Sequence, residues 1–131
     1  ETALRSCVLL KNEGLLPLKP GTRVALTGDY VDEHDLLGTW AVDGIRPDTE
    51  TLREAFARES RITLTDVEHA DVILLATGEA ASKAHPQLRP EQQAELEELE
   101  KTGKPVAVLL FCGRPLILTD ALPHCQALLN A

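Results

Sequence analysis

A chain of 131 residues holds one compact domain and leaves no room for a second. Its hydrophobic fraction of 44% and charged fraction of 26% are those of an ordinary globular protein that needs no staples. The net charge of −8, with no basic stripe, argues against nucleic acid, and no apolar run approaches the roughly 20 residues of a membrane-spanning helix. Glu1-Thr2-Ala3-Leu4-Arg5 also lacks the basic-then-apolar pattern of a signal peptide.

In chain order, residues 1–10 read as the end of a helix. Lys11 to Leu18 is a turn followed by a short extended piece, punctuated by Pro17, Pro20 and Gly21. Arg23 to Gly28 is a short apolar run closed by glycine, which predicts a buried strand. A polar loop runs from Asp29 to Asp48. Thr49 then caps a helix lasting to Arg58, with Leu52, Ala55 and Phe56 facing inward.

Ile62-Thr63-Leu64 predicts a short strand and Asp71 to Thr77 a strong one, closed by Gly78-Glu79. After a second polar loop to Arg89, Pro90 opens a helix that lasts to about Lys101 and stops at Gly103. Pro105 to Phe111 is the third strong strand, ending at Cys112-Gly113-Arg114. Leu116 to Leu118, a short helical turn near Asp120 to Leu122 and the apolar Ala127 to Leu129 complete the chain. Continuous apolar strands alternating with amphipathic helices predict a parallel α/β sheet buried on both faces. Ligands of such sheets lie beyond the carboxyl ends of the strands, so the loops to watch are 29–48, 78–89 and 112–114.

The motifs exclude several chemistries. There is no G-x-G-x-x-G, no G-x-x-x-x-G-K-[ST], no G-x-S-x-G and no H-E-x-x-H. Cys7, Cys112 and Cys125 are odd in number and far apart, and His34, His69, His85 and His124 fall at no ligand spacing. Buried, inert thiols and no metal site are the expectation. Asp29, Asp32, Glu33 and Asp35 would suit a Mg²⁺ pocket of the phospho-accepting kind. The strand ends that should then carry an acceptor Asp and a Lys carry Gly78-Glu79 and Cys112-Gly113-Arg114 instead, so a solvated acidic loop is expected.

Glu79 follows a buried strand and a glycine, where a carboxyl can be held partly desolvated, as general-acid work near neutral pH requires. Lys83, His85 and Arg89, in the same loop, can orient a sugar or tune that carboxyl. The plainer alternative is that Glu79 caps local backbone or pairs with a neighbouring base. Trp40, between Gly38 and Gly44, suits stacking on the apolar face of a sugar ring, or else plugs the edge of the core.

Several stretches carry a resemblance. Val8-Leu9-Leu10-Lys11-Asn12-Glu13-Gly14-Leu15-Leu16-Pro17-Leu18 resembles the V-L-L-K-N-E-x-x-L-P-L signature that opens the second domain of family 3 glycoside hydrolases. Leu36-Leu37-Gly38-Thr39-Trp40, reaching Gly44, is similar to that family's (L/M)-G-x-W…G loop. Asp71-Val72-Ile73 through Gly78-Glu79 resembles its A-D-V-…-GE strand. Thr102-Gly103-Lys104-Pro105-Val106 and Gly113-Arg114-Pro115-Leu116 resemble its GKP…GRPL strand. The likeness spans essentially the whole chain.

The resemblance implies the C-terminal α/β sandwich of a two-domain retaining enzyme, β-glucosidase-like, whose preceding (β/α)-barrel supplies an Asp nucleophile. The sandwich lends active-site loops and, in many members, the acid/base Glu, with the two carboxyls about 5–5.5 Å apart. Nothing in this chain matches the nucleophile motif. Glu79 is the acid/base only if the family's "GE" glutamate holds that role. In many bacterial members a later Glu in an E-x-S-S-R-like stretch does so, and here the shorter Ala80 to Arg89 segment has no Glu. The stretch between the first helix and the 71–77 strand is compressed, and Cys112 stands where the family has Asn. The chain stops at Asn130-Ala131 before the usual W-x-x-G, so it reads as an excised or trimmed domain.

The expectations are therefore a three-layer α/β/α sandwich of five or six mostly parallel strands, no cofactor and no metal. Glu79 is the conditional catalytic residue; Trp40, Lys83 and His85 are the substrate-binding candidates, while Asp43 and Arg46 shape the loop. The implied partners are a barrel of the same polypeptide and a carbohydrate, with neither nucleic acid nor membrane. The isolated chain is expected to be inactive and to show an apolar patch for the barrel, open to self-association. The alternative is a non-catalytic structural or interaction sandwich that has lost its acid/base loop.

Overall fold

The computed structural model describes residues 2–34, 36, 49–79 and 86–131. Its elements are α1 (Thr2–Ser6), β1 (Val8–Asn12), β2 (Thr22–Thr27), α2 (Leu52–Ala57), β3 (Ile62–Leu64), β4 (Val72–Gly78), α3 (Pro90–Lys101), β5 (Val106–Phe111), a 3₁₀ turn (Leu122–His124) and β6 (Ala127–Asn130). The six strands form one sheet in the order β1-β6-β5-β4-β2-β3. Every pairing is parallel except that of β1 with β6. The mostly parallel α/β sandwich is thus present.

All seven residues of β4 are buried, because the sheet is covered on both sides. Alternate side chains serve opposite layers. Ile73 and Leu75 pack with Val108, Leu110, Leu128, Cys125 and Leu96 of α3. Val72 and Leu74 pack with Val24 and Ala107 against Phe56 of α2 and the Leu15, Leu16 and Leu18 segment. The helix α3 begins at Pro90 and ends at Lys101, as its sequence predicts; proline fixes φ at a position whose N–H needs no partner.

Three local expectations change. The N-terminal helix ends at Ser6, and residues 8–12 are a strand where the sequence predicts helix over 8–10 and a turn at 11–12. Its partner is at the far end of the chain, with Val8 opposite Asn130 and Asn12 opposite Ala127. Lys11 clamps the arrangement by donating to the Leu122 and Cys125 carbonyls at 2.7 and 2.6 Å. The cap of α2 is Thr51, not Thr49: Thr51 accepts from the Glu54 N–H while Glu54 accepts from the Thr51 N–H, a reciprocal capping box. The late helical turn lies at Leu122–His124, and Leu116 to Leu118 contributes a single bridge, Gln87 to Ile117.

Among the described residues, no helix is long and apolar enough to cross a membrane. Val8, Leu9 and Leu10 on the edge strand β1 are each about half exposed.

Candidate functional site

The strand order creates the site. From β2 the chain crosses to β3 on one side, whereas β4 lies on the other and leads on to β5. The crevice between the carboxyl ends of β2 and β4 is therefore the topological switch point, where open α/β sheets take ligands.

Two glycines let the strand ends close up there. Gly28 has φ +98°, and a Cβ on it would lie 2.1 Å from the Ala76 carbonyl oxygen. A Cβ on Gly78 would lie 1.8 Å from the Phe111 carbonyl oxygen. The residues after these glycines, Asp29 and Glu79, carry the carboxylates of the site.

Glu79 donates its backbone N–H to the Phe111 carbonyl at 2.9 Å. Its carboxylate is gripped by Arg114, whose Nε reaches Oε1 at 2.9 Å and Oε2 at 3.0 Å while Nη2 bonds Oε1 as well. The Glu79 side chain is only 9% exposed and that of Arg114 45%, so the carboxylate is enclosed and the guanidinium forms the open side. Pairing with a neighbouring base, one of the roles left open for Glu79, is therefore its observed state.

Asp29 has a separate partner. Arg89 bonds its Oδ2, and so does Gln92 Nε2 at 2.9 Å. The same Gln92 nitrogen donates to the Gly78 carbonyl at 2.8 Å, and Gln92 Oε1 accepts from the Arg89 N–H at 3.0 Å. Gln92 is buried in the first turn of α3, so one amide ties β2, β4 and α3 together. Arg89, which by sequence is free to orient a sugar or tune Glu79, pairs with Asp29.

Around these pairs, Tyr30 stacks on Phe111 with ring centroids 5.4 Å apart and planes 3° from parallel. Burial, and then the charges of Asp29 and Glu33, push the Tyr30 phenol upward. Burial pushes the Glu95 carboxyl up, with Asp29 adding to it and the Gly28 N–H opposing it. Cys112 donates its thiol to Asn130 Oδ1 at 2.9 Å, and burial followed by the charge of Glu79 raises that thiol.

Two carboxylates of the acidic loop have separate partners: Asp32 forms a two-bond pair with Arg53 at 2.7 and 2.9 Å, apart from the Asp29 pair. His34 and Thr49 hold each other, Nδ1 of His34 lying 2.9 Å from the Thr49 carbonyl and the Thr49 hydroxyl donating to the His34 carbonyl at 2.9 Å. Asp35, Trp40, Asp43, Arg46, Lys83 and His85 lie outside the described residues.

Sequence reasoning singled out Glu79 but missed Gln92 and the Asp29–Arg89 pair. A signal for Gln92 existed: Arg89-Pro90-Glu91-Gln92 places a side-chain acceptor three residues past the helix cap, as in a capping box.

The model of the glycosyl hydrolase family 3 C-terminal domain matches residues 7–131. Among solved structures, the chain is similar to a β-glucosidase from Listeria innocua in complex with isofagomine, at 29% identity and TM-score 0.88 over 97% of this chain and 21% of that one. It shares the fold of an exo-1,3/1,4-β-glucanase from Pseudoalteromonas, at 23% identity and TM-score 0.73 over 95% of this chain and 25% of the other. It also shares the fold of β-glucosidase 3B from Thermotoga neapolitana, at 17% identity and TM-score 0.76, over 94% and 24%. No curated protein sequence matches it. The chain thus spans about a fifth to a quarter of the length of these structures.

Proposed function

The chain belongs to the glycosyl hydrolase family 3 C-terminal domains, and on that premise we propose that it completes the substrate pocket of a retaining glycoside hydrolase. It is one domain of a longer polypeptide whose barrel supplies the nucleophile. The reaction is hydrolysis of terminal β-linked glucosyl or similar residues. Glu79 is the acid/base, protonating the leaving oxygen and later deprotonating water. Trp40 stacks on the sugar, and Lys83 and His85 orient it.

The observation that carries this reading is the enclosed Glu79 carboxylate at the carboxyl end of β4, beside the switch point. The half-exposed Val8, Leu9 and Leu10 on the edge strand β1 supply the surface on which the barrel packs. Without a barrel the chain is inactive, and that surface is open to self-association. The name of the Listeria innocua β-glucosidase supports the choice of a glucosyl substrate.

A second, non-catalytic reading draws on the Glu79–Arg114 pair and the short, Glu-free 80–89 segment. A carboxylate already satisfied by a guanidinium has a structural role complete in itself. Glu79→Gln in the full-length protein separates the two. The catalytic reading expects hydrolysis of an aryl β-glucoside with a poor leaving group to fall about 10²- to 10⁴-fold. A rate near that of the parent leaves the structural reading.

A further inference from the structure

We infer that Arg114 is the positioning residue of this site and acts on the chemistry only through Glu79. The inference rests on the reading of Glu79 as the acid/base. Arg114 meets both oxygens of the carboxylate, with Nε 2.9 Å from Oε1 and 3.0 Å from Oε2 and with Nη2 on Oε1. Such a fork fixes the plane of a carboxylate as well as its place, which the point charge of a lysine does not.

The backbone of Glu79 is tied to the same stretch of chain. Its N–H bonds the Phe111 carbonyl at 2.9 Å, three residues before Arg114. Segment 111–114 thus sets both the Cα position and the side-chain orientation of Glu79. Among the described residues, the arginine that follows in the next loop, Arg89, is held by Asp29 and does not substitute for it. The Glu79 side chain is 9% exposed and both its oxygens meet Arg114, so the guanidinium leaves the carboxylate little freedom to turn.

An acid/base must be held within about 0.5 Å of its productive place. Glu79 acts on the leaving oxygen as the bond breaks, so loosening it weakens transition-state interactions more than ground-state binding. Loss of Arg114 is therefore felt in kcat, most strongly with a leaving group that needs a proton.

The experiment compares E79Q, R114A, R114K and the double variant E79Q/R114A in the full-length protein, using aryl β-glucosides of good and poor leaving ability. R114A is expected to lower kcat for the poor leaving group by roughly 10²-fold, within the range of one general acid, with KM nearly unchanged. R114K recovers part of the loss. In the E79Q background, R114A costs nothing further, a result that a purely structural role for the arginine does not give.

An unchanged kcat in R114A, or an equal fall in both backgrounds, overturns the inference. A crippled E79Q beside an unaffected R114A removes this inference alone. A full-rate E79Q, or a parent that hydrolyses no β-glucoside, removes the acid/base reading first and this inference with it. If R114A does not fold, R114K in both backgrounds makes the same comparison.

Discussion

A Cβ placed on Gly78 would lie 1.8 Å from the carbonyl oxygen of Phe111, far inside contact distance. The close approach of β4 and β5 at this point depends on the missing side chain, and it places the Glu79 N–H on the Phe111 carbonyl. The obstruction is backbone on a central strand, so it cannot swing aside as a flexible side chain would. Gly78→Ala is therefore expected to destabilise the chain by about 3 kcal/mol, at the upper end of overpacking costs. Urea denaturation checks this. A loss below about 0.5 kcal/mol, typical of unconstrained surface positions, would show that the strands separate freely.

Gln92 is the second structural dependency. Its side chain makes three bonds, to Asp29, to the Gly78 carbonyl and from the Arg89 N–H, in a buried position. Gln92→Leu keeps the bulk and removes the bonds, leaving polar groups unmet. A loss of about 2–3 kcal/mol is expected from urea midpoints, because deserted buried partners cost more than a net hydrogen bond is worth. Gln92→Glu restores the acceptor but sets a carboxylate against Asp29, and should be no better than leucine.

The parts of the fold that were legible in the sequence are those governed by local chemistry. Pro90 and Gly103 bracket α3, and the unbroken apolar run 72–76 announces a strand buried on both faces. What local patterns cannot reveal is pairing across the chain. Val8-Leu9-Leu10 has no marked preference between helix and strand, and its strand state comes from β6 at the other terminus. The site divides the same way. Glu79 stands out because it follows a strand and a glycine, whereas its partner Arg114 comes from the next strand's end. Thr51 as the cap of α2 was legible, because Glu54 stands three residues on; Thr49 has no such partner.

At the opposite end of the sheet, Arg23 binds Asp71 through Nε, Nη2 and its backbone N–H at 3.1, 2.6 and 2.9 Å. These bonds, the side-chain ones first, hold the Asp71 carboxyl at about 2 instead of 3.8. The folded value lies below the unfolded one, so this contribution is complete above about pH 4 and is lost as pH falls towards about 2. Asp71→Asn is expected to lower the urea midpoint at neutral pH, and the gap from the parent should narrow across that window. A gap that stays constant down to about pH 2 would show that Asp71 is not ionised through this pair.

Thiol reactivity probes the surroundings of Glu79. Burial raises both Cys112 and Cys125, and the charge of Glu79 adds to the effect at Cys112. Less thiolate at neutral pH means slow alkylation, since the thiolate is the nucleophile. Mass spectrometry after brief iodoacetamide treatment should find both cysteines largely unmodified until urea is added. Glu79→Gln should quicken modification of Cys112 while leaving Cys125 unchanged. Equal rates at Cys112 in parent and variant would show that the Glu79 charge does not reach it.

The most direct test of the central claim, that this domain brings an acid/base glutamate to a retaining hydrolase, is azide rescue of Glu79→Ala in the full-length protein. The substrate is an aryl β-glucoside whose leaving group departs without a proton. With no carboxylate to activate water, the glycosyl-enzyme intermediate should persist until azide attacks its anomeric carbon and displaces the nucleophile carboxylate. The expected result is a slow variant that azide accelerates at least about tenfold, within the share general acid–base catalysis supplies, yielding the β-glycosyl azide. A variant that turns over as fast as the parent, or that azide leaves unchanged, would contradict it.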